Sequence, residues 1–340
     1  GVTRVQDKRQ KERSLCQQVL ERFDQQYSQE LGDLWPSARA VLLDPHSWQY
    51  GVMLNRFTTV TGITQILQSQ GFSTLLPSPR PTLQCYIHPY PLRFPSQAHR
   101  PGQLKQYYLL NAASLLPVLA LQIRDGEKVL DLCSAPGGKA LAITQCATPA
   151  LLCCNEPDPH RRDWLSKTLE SFLPQSLISR VIVSAQDGRS FGQSEAGTYD
   201  KVLVDAPCSN DRSWLYSCSS QQGEQRLKER ARLPALQTQL LRSALSAVRP
   251  GGAVVYSTCT LSSSENCAVV ETVLNDCPEA DPEDLWEEIA IPLAKYFTFS
   301  PAHPGHGQTP HKPSLLGILV VPQPGKTWGP MFLSRIRRRK

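Results

Sequence analysis

The chain has 340 residues, with 36 Lys and Arg against 30 Asp and Glu for a formal charge of +6. That length holds a catalytic domain plus a smaller appendage, and the mild basic excess permits a polyanionic partner without demanding one. Hydrophobic residues make up 40% of the chain, and no stretch approaches the ~20 apolar residues of a membrane helix.

Eleven cysteines form no Cys-x-x-Cys pair. Their odd number in a chain of this size argues against a disulfide framework or a zinc site and for a reducing compartment. The sequence opens on Gly1 rather than Met, as a processed terminus would. Arg4, Lys8, Arg9, Lys11 and Arg13 follow, mixed with Asp7 and Glu12. An import peptide would be poor in acids, so the stretch reads equally as the solvated start of a helix.

Leu15, Val19, Leu20, Phe23, Tyr27 and Leu31 recur at helical spacing, with Gly32 as a stop. Further helices are expected over 34–43 and, behind a Ser47 N-cap, over 47–55. Pro77, Pro79, Pro81, Pro89, Pro91, Pro95 and Pro101 preclude a regular helix. Residues 77–103 therefore read as an extended linker, with an edge strand at 84–87.

From residue 104 helices alternate with short apolar strands. A helix over 107–121 precedes a strand at 128–133, and strands follow at 150–155, 180–184, 201–205 and 253–258. A late pair at 317–321 and 331–337 closes the chain. This is an α/β pattern: a mostly parallel, doubly wound, seven-stranded sheet with an antiparallel edge. It occupies 104–340, behind the linker at 77–103 and a mainly helical N-terminal region over 1–76.

In such sheets ligands meet the carboxyl ends of the strands. The 128–133 strand runs into Cys133-Ser134-Ala135-Pro136-Gly137-Gly138-Lys139. This is neither a dinucleotide fingerprint nor a P-loop, but its glycines let backbone approach a ligand at a helix N-terminus. Glu156, ending the next strand, suits a ribose diol, and Asp187 in Gln186-Asp187-Gly188 suits an adenine amino group. Each acid alone is commonly a loop carboxylate or a helix cap. Three aligned strand ends favour a nucleoside pocket.

Cys208, in Asp205-Ala206-Pro207-Cys208-Ser209, and Cys259, in Ser257-Thr258-Cys259-Thr260, follow two further strands. A lone cysteine is commonly a small buried hydrophobe. Two at adjacent strand ends beside a nucleoside pocket suit covalent chemistry on a pyrimidine. Sulfur adding at C6 of cytosine turns C5 into an enamine carbon able to attack an activated methyl. Lys139 favours thiol ionisation, and Asp205 can contact N3 and the exocyclic amine. The residues leave open which cysteine attacks and which acts when the C5 proton leaves.

The segments Val129 to Lys139, Asp205 to Ser209, Ser257 to Leu261 and Glu265-Asn266, with Arg249-Pro250-Gly251-Gly252, resemble the Sun-domain (NSUN) RNA 5-methylcytosine methyltransferases. The resemblance implies a class I methyltransferase fold, S-adenosylmethionine as donor, Cys259 as nucleophile and Cys208 in product release. Asp205 and Lys139 would contact the base and balance its charge. Cofactor contacts would come from Cys133, Ser134, Ala135, Pro136, Gly137, Gly138, Lys139, Glu156, Arg161, Asp187, Gly188 and Asp205. DNA cytosine methyltransferases attack from a Pro-Cys, so the Thr-Cys motif implies RNA. Asn210 and Ser134 replace residues that are commonly Gly and Ala in the family.

Lys105 to Ala120 and Ser209 to Trp214 are similar to family members acting on mitochondrial methionine tRNA, which implies an anticodon-loop cytosine and the mitochondrial matrix. A ribosomal RNA target with a partner protein, or a silent RNA-binding scaffold, are the alternatives. The target base must be unpaired or extruded to reach a strand end. Arg212, Arg226, Lys228, Arg230 and Arg232 are the expected phosphate contacts, set against a solvated helix face. Arg335, Arg337, Arg338, Arg339 and Lys340 read as further contacts or as a solubilising tail. His303, His306 and His311 fit no zinc spacing, and no metal is expected.

Overall fold

Short β-prone runs bounded by turns build two sheets in the computed structural model, which describes residues 14–76, 82–216, 219–302 and 313–340. The basic stretch at 1–13, Pro77, Pro79 and Pro81, and His303, His306 and His311 lie outside the described residues. The smaller sheet consists of β1 (Gly51–Leu54), β2 (Ser73–Thr74), β3 (Cys85–Ile87) and β4 (Tyr107–Leu110), antiparallel in the order β2-β3-β1-β4.

This sheet corrects three expectations. The helix expected over 47–55 is a single turn, Pro45–Ser47, followed by β1. Gly51 explains part of this, since a Cβ there would sit 3.2 Å from the Leu110 carbonyl oxygen, and a bare backbone lets β4 approach. The helix expected over 107–121 begins as β4, paired with β1 from Tyr107↔Leu54 to Leu110↔Gly51. Tyr-Tyr-Leu-Leu suits a half-buried strand as well as a helix face, and the partner strand decides it. The Asn111 side chain then accepts from Ala113 N at 3.1 Å, so helix starts only behind it, at Leu116–Leu121. Finally, β3 lies between β2 and β1 rather than at an edge.

The larger sheet has β5 (Lys128–Asp131), β6 (Leu151–Asn155), β7 (Val181–Ser184), β8 (Tyr199–Asp205) and β9 (Val248–Thr258), all parallel, in the order β9-β8-β5-β6-β7. Val129, Leu130, Val202, Leu203, Val204, Val254 and Val255 are fully buried, as strands covered on both faces require. Strand order reverses at β5 and β8, which places the ligand-binding crevice between their carboxyl ends.

Four more strands complete the sheet: β10 (Ala280–Glu283), β11 (Phe299–Pro301), β12 (Ile318–Val320) and β13 (Met331–Arg338). The sheet is thus nine-stranded rather than seven-stranded, because Ala-Asp-Pro-Glu and Phe-Ser-Pro carry little strand signal. The late pair is antiparallel as expected, but β13 lies between β9 and β12. Its arginines stitch the sheet instead of forming a basic tail. Arg335 bonds Glu283 at 2.8 Å and Glu288 at 2.6 Å, Arg337 bonds Glu283 at 3.0 Å, and Arg339 bonds Asp281 at 2.6 Å.

The helix Gln17–Leu31 forms where its periodicity places it, with Gly32 at φ 55° behind it. It buries Val19, Leu20, Phe23 and Tyr27 in the same core as β8 and β9. Among the described residues, no helix is long and apolar enough to cross a membrane. Among the described residues Cys85, Cys133, Cys153, Cys154, Cys208, Cys259 and Cys277 form no disulfide, whereas Cys16 is disulfide-bonded.

Candidate active site

Parallel pairing of β8 with β9 sets Asp205 opposite Ser257, so the loops behind them emerge together. The outcome is a direct thiol contact: Cys208 Sγ lies 3.1 Å from Cys259 Sγ, and the Cys259 backbone N–H points at Cys208 Sγ from 3.4 Å. The contact with Cys259, reinforced by burial, holds the Cys208 thiol well above the usual thiol range. Cys208 is therefore protonated at neutral pH.

Lys139 enters from the first turn of the helix Gly138–Cys146 and donates to Asp205 Oδ2 at 2.9 Å, while Ser257 Oγ donates to Asp205 Oδ1 at 3.0 Å. Burial opposes the Lys139 charge, but Asp205 outweighs it and raises the pKa; Cys259 adds in the same direction. A fixed ammonium thus faces both a carboxylate and the Cys259 sulfur. Lys139 and Asp205 border a hollow of about 200 Å³ that is also lined by Tyr108, Asp131 and Ser134.

A larger cleft of about 480 Å³ adjoins it, lined by Cys133, Ala135, Pro136, Glu156, Arg161, Asp187, Gly188, Asp205, Cys208 and Cys259. The glycine turn is required by geometry. Gly137 has φ +114°, and a Cβ on Gly138 would come 3.0 Å from Tyr108 Cε1. At Gly188 a Cβ would come 2.7 Å from Leu240 Cδ2. Arg161 donates to the Ala135 carbonyl at 3.0 Å and so braces the turn. Asp187 is exposed, and hydrogen bonding from Arg189 lowers its pKa. Burial, then Asp131, push the Cys133 thiol well up, so this third sulfur at the site is inert.

The donor set fits S-adenosylmethionine. Asp131 Oδ2 accepts from Ser134 Oγ at 2.8 Å, but Oδ1 is buried without a partner. Burial pushes this carboxyl up to about 7. An orphaned carboxylate oxygen beside a cavity calls for a donor, and an α-ammonium supplies one. Glu156 is buried at the end of β6, one strand over, where a ribose diol would lie.

The basic residues expected to meet phosphate divide. Lys228 and Arg232 are exposed on the helix Ser220–Ala247. Arg226 is spent on the Trp214 and Tyr216 carbonyls at 2.7 and 2.9 Å. Arg212 stacks on Trp48 with 4.5 Å between guanidinium carbon and ring centroid, and bonds the Thr327 and Gly329 carbonyls. Arg230 is buried: it donates to Tyr27 Oη at 3.0 Å and approaches Glu265 at 4.0 Å. Arg230 is buried on the inward face of its helix, and half-buried Arg212 and Arg226 are held by backbone carbonyls, so these three guanidiniums are already engaged within the protein.

Sequence reading missed this inner network. Tyr27 Oη donates to Asp211 Oδ2 at 3.0 Å; Asp211 accepts from Thr260 Oγ1 and Leu261 N, both at 2.8 Å; Glu265 accepts from Ser209 N at 2.9 Å. The N-terminal helix thereby ties together the loops of Cys208 and Cys259. Tyr27 at a core position of its helix was visible, but its partner was not.

Fold and site together define a class I S-adenosylmethionine-dependent methyltransferase. Residues 118–305 match the family model described as 16S rRNA methyltransferase RsmB/F, and the chain belongs to that family. The chain is 56% identical over 336 residues to the "tRNA (cytosine(34)-C(5))-methyltransferase, mitochondrial" of Danio rerio, covering 96% of this chain and 89% of the relative. It is 50% identical to the Mus musculus protein of the same name, over 96% and 92%. Identity to the "5-cytosine rRNA methyltransferase NSUN4" of Bos taurus is 37%, over 94% and 88%. Among solved structures, a methyltransferase homolog from Pyrococcus horikoshii matches with TM-score 0.70 at 22% identity, covering 95% of this chain and 98% of that one. NSun6 from the same organism matches with TM-score 0.66 at 16% identity, over 92% and 97%. These two likenesses establish the fold.

Proposed function

We propose that the chain methylates C5 of cytosine 34 in a mitochondrial tRNA, the activity named for its relatives of 56% and 50% identity. Methionine tRNA is the proposed acceptor and the matrix the proposed compartment. The observation carrying the chemistry is the thiol pair, 3.1 Å apart, beside an ammonium–carboxylate pair at 2.9 Å.

S-Adenosylmethionine supplies an electrophilic methyl group when bound, and the Cys133–Lys139 turn with Glu156 and Asp131 would hold it. The chain's own residues do the rest. Cys259, as its thiolate, forms a bond to C6 and the C5=C6 electron pair moves onto C5. Asp205 takes the N3 and exocyclic-amine edge, and the Lys139 ammonium balances the charge that accumulates during addition. After C5 has gained its methyl, Cys208, having first given its own thiol proton to solvent, takes the C5 proton. C5=C6 re-forms as the S–C6 bond breaks, returning Cys259.

The test is methyl transfer to an anticodon stem-loop carrying C34, to the same stem-loop with U34, and to a mitochondrial ribosomal RNA hairpin. Methylation of C34 alone supports the proposal. Methylation of the ribosomal hairpin in preference to C34 overturns it.

A further inference from the structure

Tyr108 is a wall of more than one hollow. Tyr108 and Leu109 also line an open hollow of about 650 Å³ with His99, Lys105, Trp164 and Lys167, and Gln97 joins this to another of about 720 Å³ bordered by Arg100. Shared wall residues thus set a row of hollows leading outward from the one at Lys139 and Asp205, together a groove along this face. Its walls come from β4 and the segment before it, the helix Pro159–Phe172 and the turn at Phe57, Thr58 and Thr59.

Trp164 stands out in it. Its side chain is 60% exposed and belongs to no core cluster, an unfavourable place for an indole unless something stacks on it. The neighbouring charges are mainly cationic. Lys167 pairs with Asp163 at 2.9 Å on the surface, an exposed pair that is easily exchanged, and Glu170 is the remaining acid. Lys105 and Arg100 form no side-chain ion pair among the described residues.

The groove is held in shape. Lys105 N donates to the Ser171 carbonyl at 2.8 Å, and Asn55 Nδ2 donates to the Lys105 and Phe172 carbonyls, both at 2.8 Å. These bonds fix the cationic segment against the end of the helix that carries Trp164. An aromatic face between anchored cations is the arrangement that grips single-stranded nucleic acid, with bases stacked on the ring and phosphates on the charges.

We infer that this groove holds the unpaired RNA flanking the target cytosine, with Trp164 as the stacking platform for a neighbouring base and Lys105, Arg100 and His99 along the phosphates. The inference rests on the proposed RNA substrate and adds the path that the RNA takes. None of these four residues is among the basic residues picked out from the sequence.

The experiment uses the full chain with Trp164→Ala and Lys105→Glu. Methylation kinetics are measured on the C34 stem-loop, and tryptophan fluorescence is titrated with a single-stranded RNA oligonucleotide. Trp164→Ala is expected to raise KM for RNA about tenfold and to abolish most of the quenching. Lys105→Glu should raise KM more at low salt than at high salt. In both variants kcat at saturating RNA and cofactor affinity stay at wild-type values. Unchanged KM in both variants, with wild type active on the same RNA, overturns the groove. A wild-type protein that methylates no RNA overturns the functional proposal instead, and the quenching comparison still decides the groove.

Discussion

Cys208 Sγ and Cys259 Sγ are in contact at 3.1 Å although 51 residues separate them, because β8 and β9 run parallel and in register. The contact, reinforced by burial, holds the Cys208 proton in place. Cys259→Ala should abolish methyl transfer. Cys208→Ala should still let Cys259 add to C6 but stall release, leaving an RNA–protein adduct visible as a shifted band on a denaturing gel. Free turnover by Cys208→Ala without that band would remove its release role.

The Lys139–Asp205 pair predicts a pH effect. Asp205 outweighs the burial that disfavours the Lys139 ammonium, so Lys139 keeps its proton into the alkaline range. Asp205→Asn removes that support and leaves burial in control. We expect kcat to fall about a hundredfold, as when a preorganised charge-stabilising contact is lost. The alkaline limb of the pH–rate profile should also move toward neutrality. An unshifted limb would separate Lys139 from the kinetic pKa.

Asp131 gives a second pH signature. Burial raises its folded pKa to about 7, above the ordinary carboxyl value near ~3.9. Between those values the folded state binds more protons than the unfolded state, so the stability of the ligand-free protein falls as pH rises from ~4 to ~7 and is flat beyond. A cationic ammonium at Oδ1 reverses the penalty. The thermal shift produced by S-adenosylmethionine should therefore be larger at pH 8 than at pH 5.5. Asp131→Asn should remove the difference, and equal pH dependence in that variant would sink the assignment.

How much of this could be read from residues alone follows a physical divide. The glycine turn at Gly137-Gly138 and the two cysteines were legible because strand ends and tight turns are local features. The strand β4 was not, since Tyr107–Leu110 satisfies helix and strand patterns alike and β1, far back in the chain, decides between them. Arg230 was misplaced for the same reason: its charge suggests a surface, and only the approach of Tyr27 from the first helix makes a buried seat for it. Long-range pairing supplied what local pattern could not.

The buried seat of Arg230 yields the last prediction. Its guanidinium lies 4.9 Å from the Phe23 ring centroid, donates to Tyr27 and faces Asp211 and Glu265. Burial pushes Asp211 up to about 7 even with Arg230 opposing it. Removing the arginine leaves two buried acids without a cation, and breaking such a pair costs about 3–5 kcal/mol. Tyr27→Phe loses one bridging hydroxyl and should cost about 1–3 kcal/mol. Lys228→Ala and Arg232→Ala, both exposed, should stay within about 0.5 kcal/mol of wild type. Urea denaturation of the four variants checks the ranking. Because Tyr27 and Arg230 join the loops of Cys208 and Cys259, the first two variants should also lose activity at temperatures where the bulk fold persists. An Arg230→Ala protein as stable and active as wild type would show that the network does not hold the two thiols together.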